Sequence, residues 1–275
     1  MVYARGLDQT ALLEIDPAMN DSVRSDAAPA RPELLVGCAG WSLPRPAWPQ
    51  FAAAGSHLER YASRFGAVEI NSSFYRPHRP ATYARWAASV PAGFRFAVKL
   101  PRRITHELRL RGALGALDGF LAEATALGER LGCLLVQLPP SLALDPAAAA
   151  GFFAGLRERF DGGVACEPRH ASWFTAAAEE LLAAQRIARV AADPAPAPAA
   201  ATPGGWDGLR YHRLHGSPTM YYSAYEPAYL DQLAASMAAE AAGGAPVWCI
   251  FDNTAEGAAT TNALDLLGRL RGESF

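Results

Sequence analysis

Short apolar runs alternate along this chain with longer Ala- and Leu-rich stretches whose apolar positions recur at helical spacing. The short runs fall at Leu34 to Cys38, Ala67 to Asn71, Phe94 to Lys99, Cys133 to Leu138, Gly163 to Glu167, Ile187 to Ala191, Leu209 to Leu214 and Val247 to Phe251. Helical stretches lie between them at Leu58 to Phe65, Ala81 to Ser89, Gly112 to Leu131, Pro146 to Arg159, Trp173 to Ala184, Pro227 to Ala241 and Asn262 to Arg271. Such alternation predicts βαβ units and a parallel sheet. An open doubly wound sheet has roughly five to seven strands, so eight runs with intervening helices fit a closed (β/α)8, or TIM, barrel better.

Boundaries follow from the same pattern. Residues 1–32 lack sustained periodicity and read as a loose tail, leaving 33–275 as one α/β domain. The Ala/Pro segment Asp193 to Pro203 reads as a flexible surface loop after the sixth strand. Gly37-Cys38-Ala39-Gly40 is neither a dinucleotide fingerprint nor a phosphate loop, so the first turn names no cofactor.

Composition narrows the function classes. With 51% apolar and 19% charged residues the chain can bury a large core. A net charge of -2 supplies no global field for polyanions, so nucleic-acid binding would need a local basic patch. Neither a run of 18 or more apolar residues nor a secretion-type leader is present, so a cytoplasmic protein without a membrane partner is expected. Cys38, Cys133, Cys166 and Cys249 stand apart inside apolar runs, which predicts buried thiols rather than a disulfide or zinc site.

In a barrel of this class the chemistry sits where the strands finish, and here those ends are polar. Alternation in Val68-Glu69-Ile70-Asn71 sends Val68 and Ile70 to one face and Glu69 and Asn71 to the other. The third strand ends at Lys99, the fourth offers Gln137, and the fifth gives Glu167 with Arg169 two residues on. The seventh places Tyr211, Arg213 and His215 on one parity, and the eighth closes with Asp252 and Asn253. Unpaired ions are costly to bury, so charges converging from several strands either neutralise one another or bind a guest.

Glu69 and Glu167 are acid/base candidates, with His106 and His215 beside them as catalytic candidates. Lys99, Arg169 and Arg213 form a candidate anion clamp, or else pair with the two glutamates. Asn71, Gln137 and Asn253 are candidate substrate donors, and His170 either joins them or caps local backbone. Trp41 and Tyr75 are placed to stack on a sugar or base, among a wider set that includes Phe74, Trp173, Tyr221 and Tyr222. His212 and His215 are three apart and point to opposite faces, so they do not chelate together. A metal site could still be assembled across strands from Glu69, Glu167, Asp193 and His215, but no short-range spacing supports one.

Several of these segments together resemble a known family. They are Gly37-Cys38-Ala39-Gly40-Trp41-Ser42, Leu58-Glu59-Arg60-Tyr61, Val68-Glu69-Ile70-Asn71-Ser72-Ser73-Phe74-Tyr75, Phe96-Ala97-Val98-Lys99, Ile104-Thr105-His106, Gln137-Leu138-Pro139-Pro140, Glu167-Pro168-Arg169-His170-Ala171-Ser172-Trp173, Arg213-Leu214-His215-Gly216 and Asn262-Ala263. In chain order they resemble the DUF72, or YecE-like, family of uncharacterised proteins. The resemblance implies a TIM-barrel fold and supplies no reaction. Two segments depart from the family's pattern: Leu43-Pro44-Arg45-Pro46-Ala47-Trp48-Pro49 lacks the frequent Trp-x-Gly-x-Phe-Tyr-Pro form, and Asp252-Asn253 replaces a common Asn-Asn.

The expected function is therefore an enzyme, a hydrolase or lyase acting on a small anionic substrate such as a phosphorylated sugar or nucleotide-like fragment. Alternatives are a metal-assisted phosphodiesterase, a non-catalytic barrel that holds a ligand or nucleic acid, and a self-compensated charge network without a guest.

Overall fold

The computed structural model describes residues 33–273, so the expected loose tail lies outside the described residues. The strands are β1 (Leu34–Cys38), β2 (Ala67–Ile70), β3 (Arg95–Lys99), β4 (Leu131–Gln137), β5 (Gly163–Glu167), β6 (Ala188–Arg189), β7 (Ala191–Asp193), β8 (Gly204–Gly205), β9 (Arg210–Leu214) and β10 (Val247–Phe251). The helices are α1 (His57–Ala62), α2 (Pro80–Ala88), α3 (Leu114–Ala124), α4 (Pro146–Arg157), α5 (Ala176–Ala184), α6 (Pro227–Ala241) and α7 (Ala258–Arg271).

Local chemistry sets the helix ends. Ser56 and Glu59 form a reciprocal capping box that starts α1, and Asp145 and Thr175 cap α4 and α5 through their side chains. The predicted helix Gly112 to Leu131 is shorter, because α3 gives way to a 3-10 turn in which Gly128 takes φ +56°. Trp173 belongs to a separate 3-10 turn, and α7 begins at Ala258 rather than Asn262.

The strands form an α/β fold with two sheets. One has the order β1-β10-β9-β7 and is parallel throughout; the other has the order β2-β3-β4-β5-β6-β8, parallel except for the last pair. The sixth predicted run divides at Val190, and its halves pair in different sheets. The segment expected as a flexible loop is pinned instead. It contains a 3-10 turn and leads into β8, and buried Arg189, which also pairs with Glu179 of α5, donates to its Thr202 carbonyl at 3.2 Å.

Where β1 passes β2, a side chain stands in for ladder bonds. Gly37 lies so close to β2 that a Cβ there would come within 2.0 Å of the Ala67 carbonyl oxygen. The Tyr61 hydroxyl of α1 accepts from the Cys38 N–H at 2.7 Å and donates to the Ala67 carbonyl at 2.9 Å. Beyond it Ala39 and Glu69 form an isolated parallel bridge. Tyr61→Phe removes both bonds and leaves two buried backbone groups unpaired, which predicts a loss of about 1–3 kcal/mol in denaturant unfolding. A midpoint and slope equal to those of the parent would contradict that role.

Two apolar cores result. The outer one joins strand residues such as Val68, Ile70, Phe96 and Val98 to the helices. The inner one draws only on residues of strands and their margins, from both sheets: Leu35, Ala67, Ala97, Leu135, Ala165, Ala188, Tyr211, Trp248 and Ile250 among them. Its alanines leave room for Tyr211 and Trp248, whose rings stack at 5.8 Å and 8°.

Candidate functional site

The polar residues continue the inner-core parity toward the C-terminal ends of the strands. Glu69 stands two residues after Ala67, Lys99 after Ala97, Glu167 after Ala165, Arg213 after Tyr211 and Asp252 after Ile250. Each therefore points the same way as its apolar predecessor, one layer higher, and the charges meet above the inner core.

Arg213, 1% exposed, is the centre of this layer. It grips Glu69 with two nitrogens, Nη2 at 2.7 Å from Oε1 and Nε at 3.1 Å from Oε2. Its Nη1 lies 3.2 Å from Glu167 Oε2, and its Nη2 lies 3.0 Å from Asp252 Oδ2. Tyr211 completes the Glu69 shell, donating its hydroxyl to Oε2 at 3.0 Å. Arg169 pairs with Glu167 and reaches Nε2 of His215. His215 spans two carboxylates, with Nδ1 at 3.0 Å from Asp252 and Nε2 at 2.9 Å from Glu167. Which of its two nitrogens donates depends on the tautomer.

The electrostatics follow from this geometry. Burial alone would push the Glu167 carboxyl up, but Arg213, Arg169 and His215 outweigh it and hold it well below the usual carboxylate range. Asp252 behaves likewise, with burial opposed by Arg213 and His215 and the net shift downward. Arg213 is itself held well above its ordinary value, burial being outweighed by Asp252, Glu69 and Glu167. Three carboxylates, Glu69, Glu167 and Asp252, thus share the layer with Arg213, Arg169 and Lys99.

Lys99 stands apart within this group. It is 8% exposed, yet among the described residues no carboxylate lies within 4.0 Å of its ammonium; its described contact is the Phe74 ring, 4.3 Å from Nζ to the centroid. Burial first, and Arg213 second, push its pKa down to about 8 against the pull of Glu69, Glu167 and Asp252.

The other predicted residues divide into rim and periphery. Asn71 is half-buried, its Nδ2 3.4 Å from Asp252 Oδ1, and its own Oδ1 is buried without a hydrogen-bond partner. With Trp41 it lines an opening of about 400 Å³, where Trp41 packs edge-on to Trp86 at 5.1 Å. His106 lies edge-on to Phe74 and bonds Thr105; burial, then Lys99 and Arg102, lower its pKa. Tyr75 is 79% exposed on a groove of about 490 Å³ that Phe74, Arg102 and Arg103 also line.

Three candidates face elsewhere. Gln137 sits beside Glu167 in register, but its amide turns to the Leu138 carbonyl. His170 accepts from the Ser172 N–H at 3.2 Å and so caps the 3-10 turn that follows β5. Asn253 ties the Ser223 carbonyl to Asn262 of α7, bracing the loop after β9. From that loop Tyr221, 45% exposed and at φ +71°, lays its ring edge-on over His215.

Tyr211 and Asp252 are partners in the layer that the strand-end reading left without a role. A sequence signal existed for Asp252, which lies on the parity of Ile250. A second signal concerns Lys99: it is the single lysine of the chain, the other 24 of its 25 basic Lys and Arg residues being arginine.

His212 points to the outer layer and pairs with Glu240 at 2.8 Å, opposite in direction to His215. All four cysteines are free and buried, and burial pushes the Cys38 thiol up to about 12. Among the described residues no group of three or more His, Cys, Asp or Glu side chains is arranged to hold a metal ion. Among them also, no helix is long and apolar enough to cross a membrane.

Fold and site define an α/β protein of parallel strands that gathers carboxylates, guanidiniums and one ammonium at its strand ends. The chain belongs to the DUF72 family, described as proteins of unknown function, whose model matches residues 35–274. It is 31% identical over 148 residues to the UPF0759 protein YecE of Escherichia coli (strain K12), covering 54% of this chain and 52% of that protein. Against the UPF0759 protein YunF of Bacillus subtilis (strain 168) the identity is 26% over 148 residues, covering 52% of each. The chain thus spans about half the length of the curated relatives it matches. The crystal structure of a DUF72 family protein from Thermotoga maritima MSB8 superposes with a TM-score of 0.70 at 24% identity, covering 87% of this chain and 99% of that one. One from Enterococcus faecalis V583 gives 0.71 at 20% identity, covering 86% and 95%. At these identities the likeness is one of fold.

Proposed function

We propose that the two sheets are arcs of one closed (β/α)8 barrel whose strand-end site binds and transforms a small anionic molecule, such as a phosphorylated sugar or a nucleotide-like fragment. Support for closure comes from both seams: Tyr61 and the Ala39–Glu69 bridge join β1 to β2, and the chain runs without interruption from β6 into β7. The inner core shared by both sheets favours the same reading.

The observation that carries the functional half is Lys99. Arg213 already neutralises the carboxylates beneath it, whereas the Lys99 ammonium is nearly buried and has no ion-pair partner among the described residues. A structural cation would be paired; one left over at the end of a strand is available to a guest. In this reading Lys99 and Arg169 meet the substrate, and Asn71 offers its unpartnered carbonyl oxygen. Glu69 and Arg213 are positioning residues, and Glu167, held ionised, accepts protons rather than donating them.

A phosphorylated sugar at a hundredfold excess over its Kd is expected to stabilise the protein by about 2.7 kcal/mol, a rise of roughly 5–10 °C in Tm. Lys99→Met and Arg169→Ala are each expected to abolish that rise. If no phosphorylated sugar or nucleotide moves the melting curve, the cluster is a self-compensated structural network. A second reading, single-stranded nucleic acid as the anion, is favoured by the groove where Tyr75 accompanies Arg76, Arg102 and Arg103. It predicts affinity that falls steeply with salt.

A further inference from the structure

We propose that Lys99 acts as a nucleophilic amine, condensing with the carbonyl group of a phosphorylated aldose or ketose to give an imine. This deepens the substrate-site reading above and rests on it for the substrate class.

The first support is compositional. The chain has arginine at 24 positions and a single lysine. A guanidinium is never deprotonated in a protein and has no free electron pair for a carbonyl carbon, whereas an amine does once it sheds a proton. Lys99 occupies the position where that difference has most effect, the end of β3 beside a charged layer.

The second support is geometric. A lysine serving only to neutralise Glu69, Glu167 or Asp252 would lie against one of them, and Arg213 holds that place. Nζ instead lies over the Phe74 ring, with no carboxylate among the described residues within 4.0 Å, so that Glu69, Glu167 and Asp252 act on it only from further away. Burial and a neighbouring guanidinium are the surroundings that activate an amine by desolvation and like charge. With its pKa pushed down to about 8, roughly one Lys99 in ten is neutral at pH 7, against about one in three thousand at the ordinary value of 10.5.

The chemistry balances without a further reagent. The neutral amine attacks the carbonyl carbon, the C–N bond forms as the carbonyl π bond opens, and a proton passes from nitrogen to oxygen. The resulting carbinolamine loses its hydroxyl as water, which takes the second amine hydrogen, and the C=N bond closes. Arg169, which pairs with Glu167 at the rim of the layer, is the second cation assigned to the phosphate of the same molecule.

The test uses the whole protein with glyceraldehyde 3-phosphate, dihydroxyacetone phosphate or ribose 5-phosphate, in sodium cyanoborohydride to fix any imine. Intact mass and peptide mapping then locate the adduct. The expected result is one adduct on Lys99, formed at least tenfold faster than on the α-amino group and absent in Lys99→Arg and Lys99→Met. Labelling of Lys99 no faster than that of the α-amino group overturns the proposal. A ligand-induced rise in Tm without any Lys99 adduct overturns the imine and leaves the anion site standing. An adduct formed equally fast with unphosphorylated glyceraldehyde upholds the amine and removes the anion reading. Neither adduct nor rise removes both.

Discussion

Arg213→Met is expected to cost the fold at least about 3–5 kcal/mol, read as a fall in the urea midpoint, because it leaves buried carboxylates without their counter-charge. Glu69 loses a two-nitrogen grip, and Glu167 and Asp252 each lose a guanidinium partner in a place water barely reaches. Lysine at the same position keeps the charge but cannot serve three carboxylates with a planar fork, so Arg213→Lys should recover only part of the loss. Neutralising the partners instead, with Glu69→Gln, Glu167→Gln and Asp252→Asn in the Arg213→Met background, should restore stability beyond the sum of the separate effects. A loss under about 1 kcal/mol for Arg213→Met would show that the layer is wet and weakly coupled.

Lys99→Met is expected to act in the opposite direction. Methionine is an unbranched apolar side chain of similar reach, and it removes a charge that the fold holds at a cost. The folded-state pKa of about 8 lies below the ordinary 10.5, so between those values the unfolded chain binds more protons than the native one. Stability of the parent protein through this group therefore rises from pH 8 to 10.5, and below pH 8 the full penalty is present. The gap corresponds to at most about 3 kcal/mol, so Lys99→Met should gain about 1–3 kcal/mol at pH 7 and progressively lose that advantage above pH 8. Comparing the two proteins cancels the tyrosines that begin to titrate near the upper end. A difference between them that stays flat from pH 7 to 10 would mean that Lys99 is solvated and unperturbed.

Much of the site was legible because strand parity is a local property. Glu69 could be assigned to the inner face from Val68 and Ile70 alone, and the same rule placed Arg213 and His215 together and sent His212 to the opposite face, where the structure pairs it with Glu240. Roles were less legible than places. Lys99, Arg169 and Arg213 have the same charge and all lie at or near strand ends, so sequence groups them as one clamp. Only the contacts separate a saturated hub from a rim cation and an unpaired amine. Gln137, His170 and Asn253 lay near the right ends too, yet each satisfies nearby backbone or a bracing contact, which depends on rotamer and loop path rather than on parity.

The sequence by itself determined the eight apolar runs, their order along the chain, the face that the strand-end charges take and the single lysine among the arginines. Those follow from alternation and composition, which act within a few residues. Tertiary structure alone decided that Tyr61 bridges β1 and β2, that Val190 divides the sixth run between two sheets, and that Arg213 rather than Lys99 neutralises the carboxylates. Those outcomes turn on distances of a few ångströms between residues far apart in the chain, and burial makes such distances decide which charges are compensated.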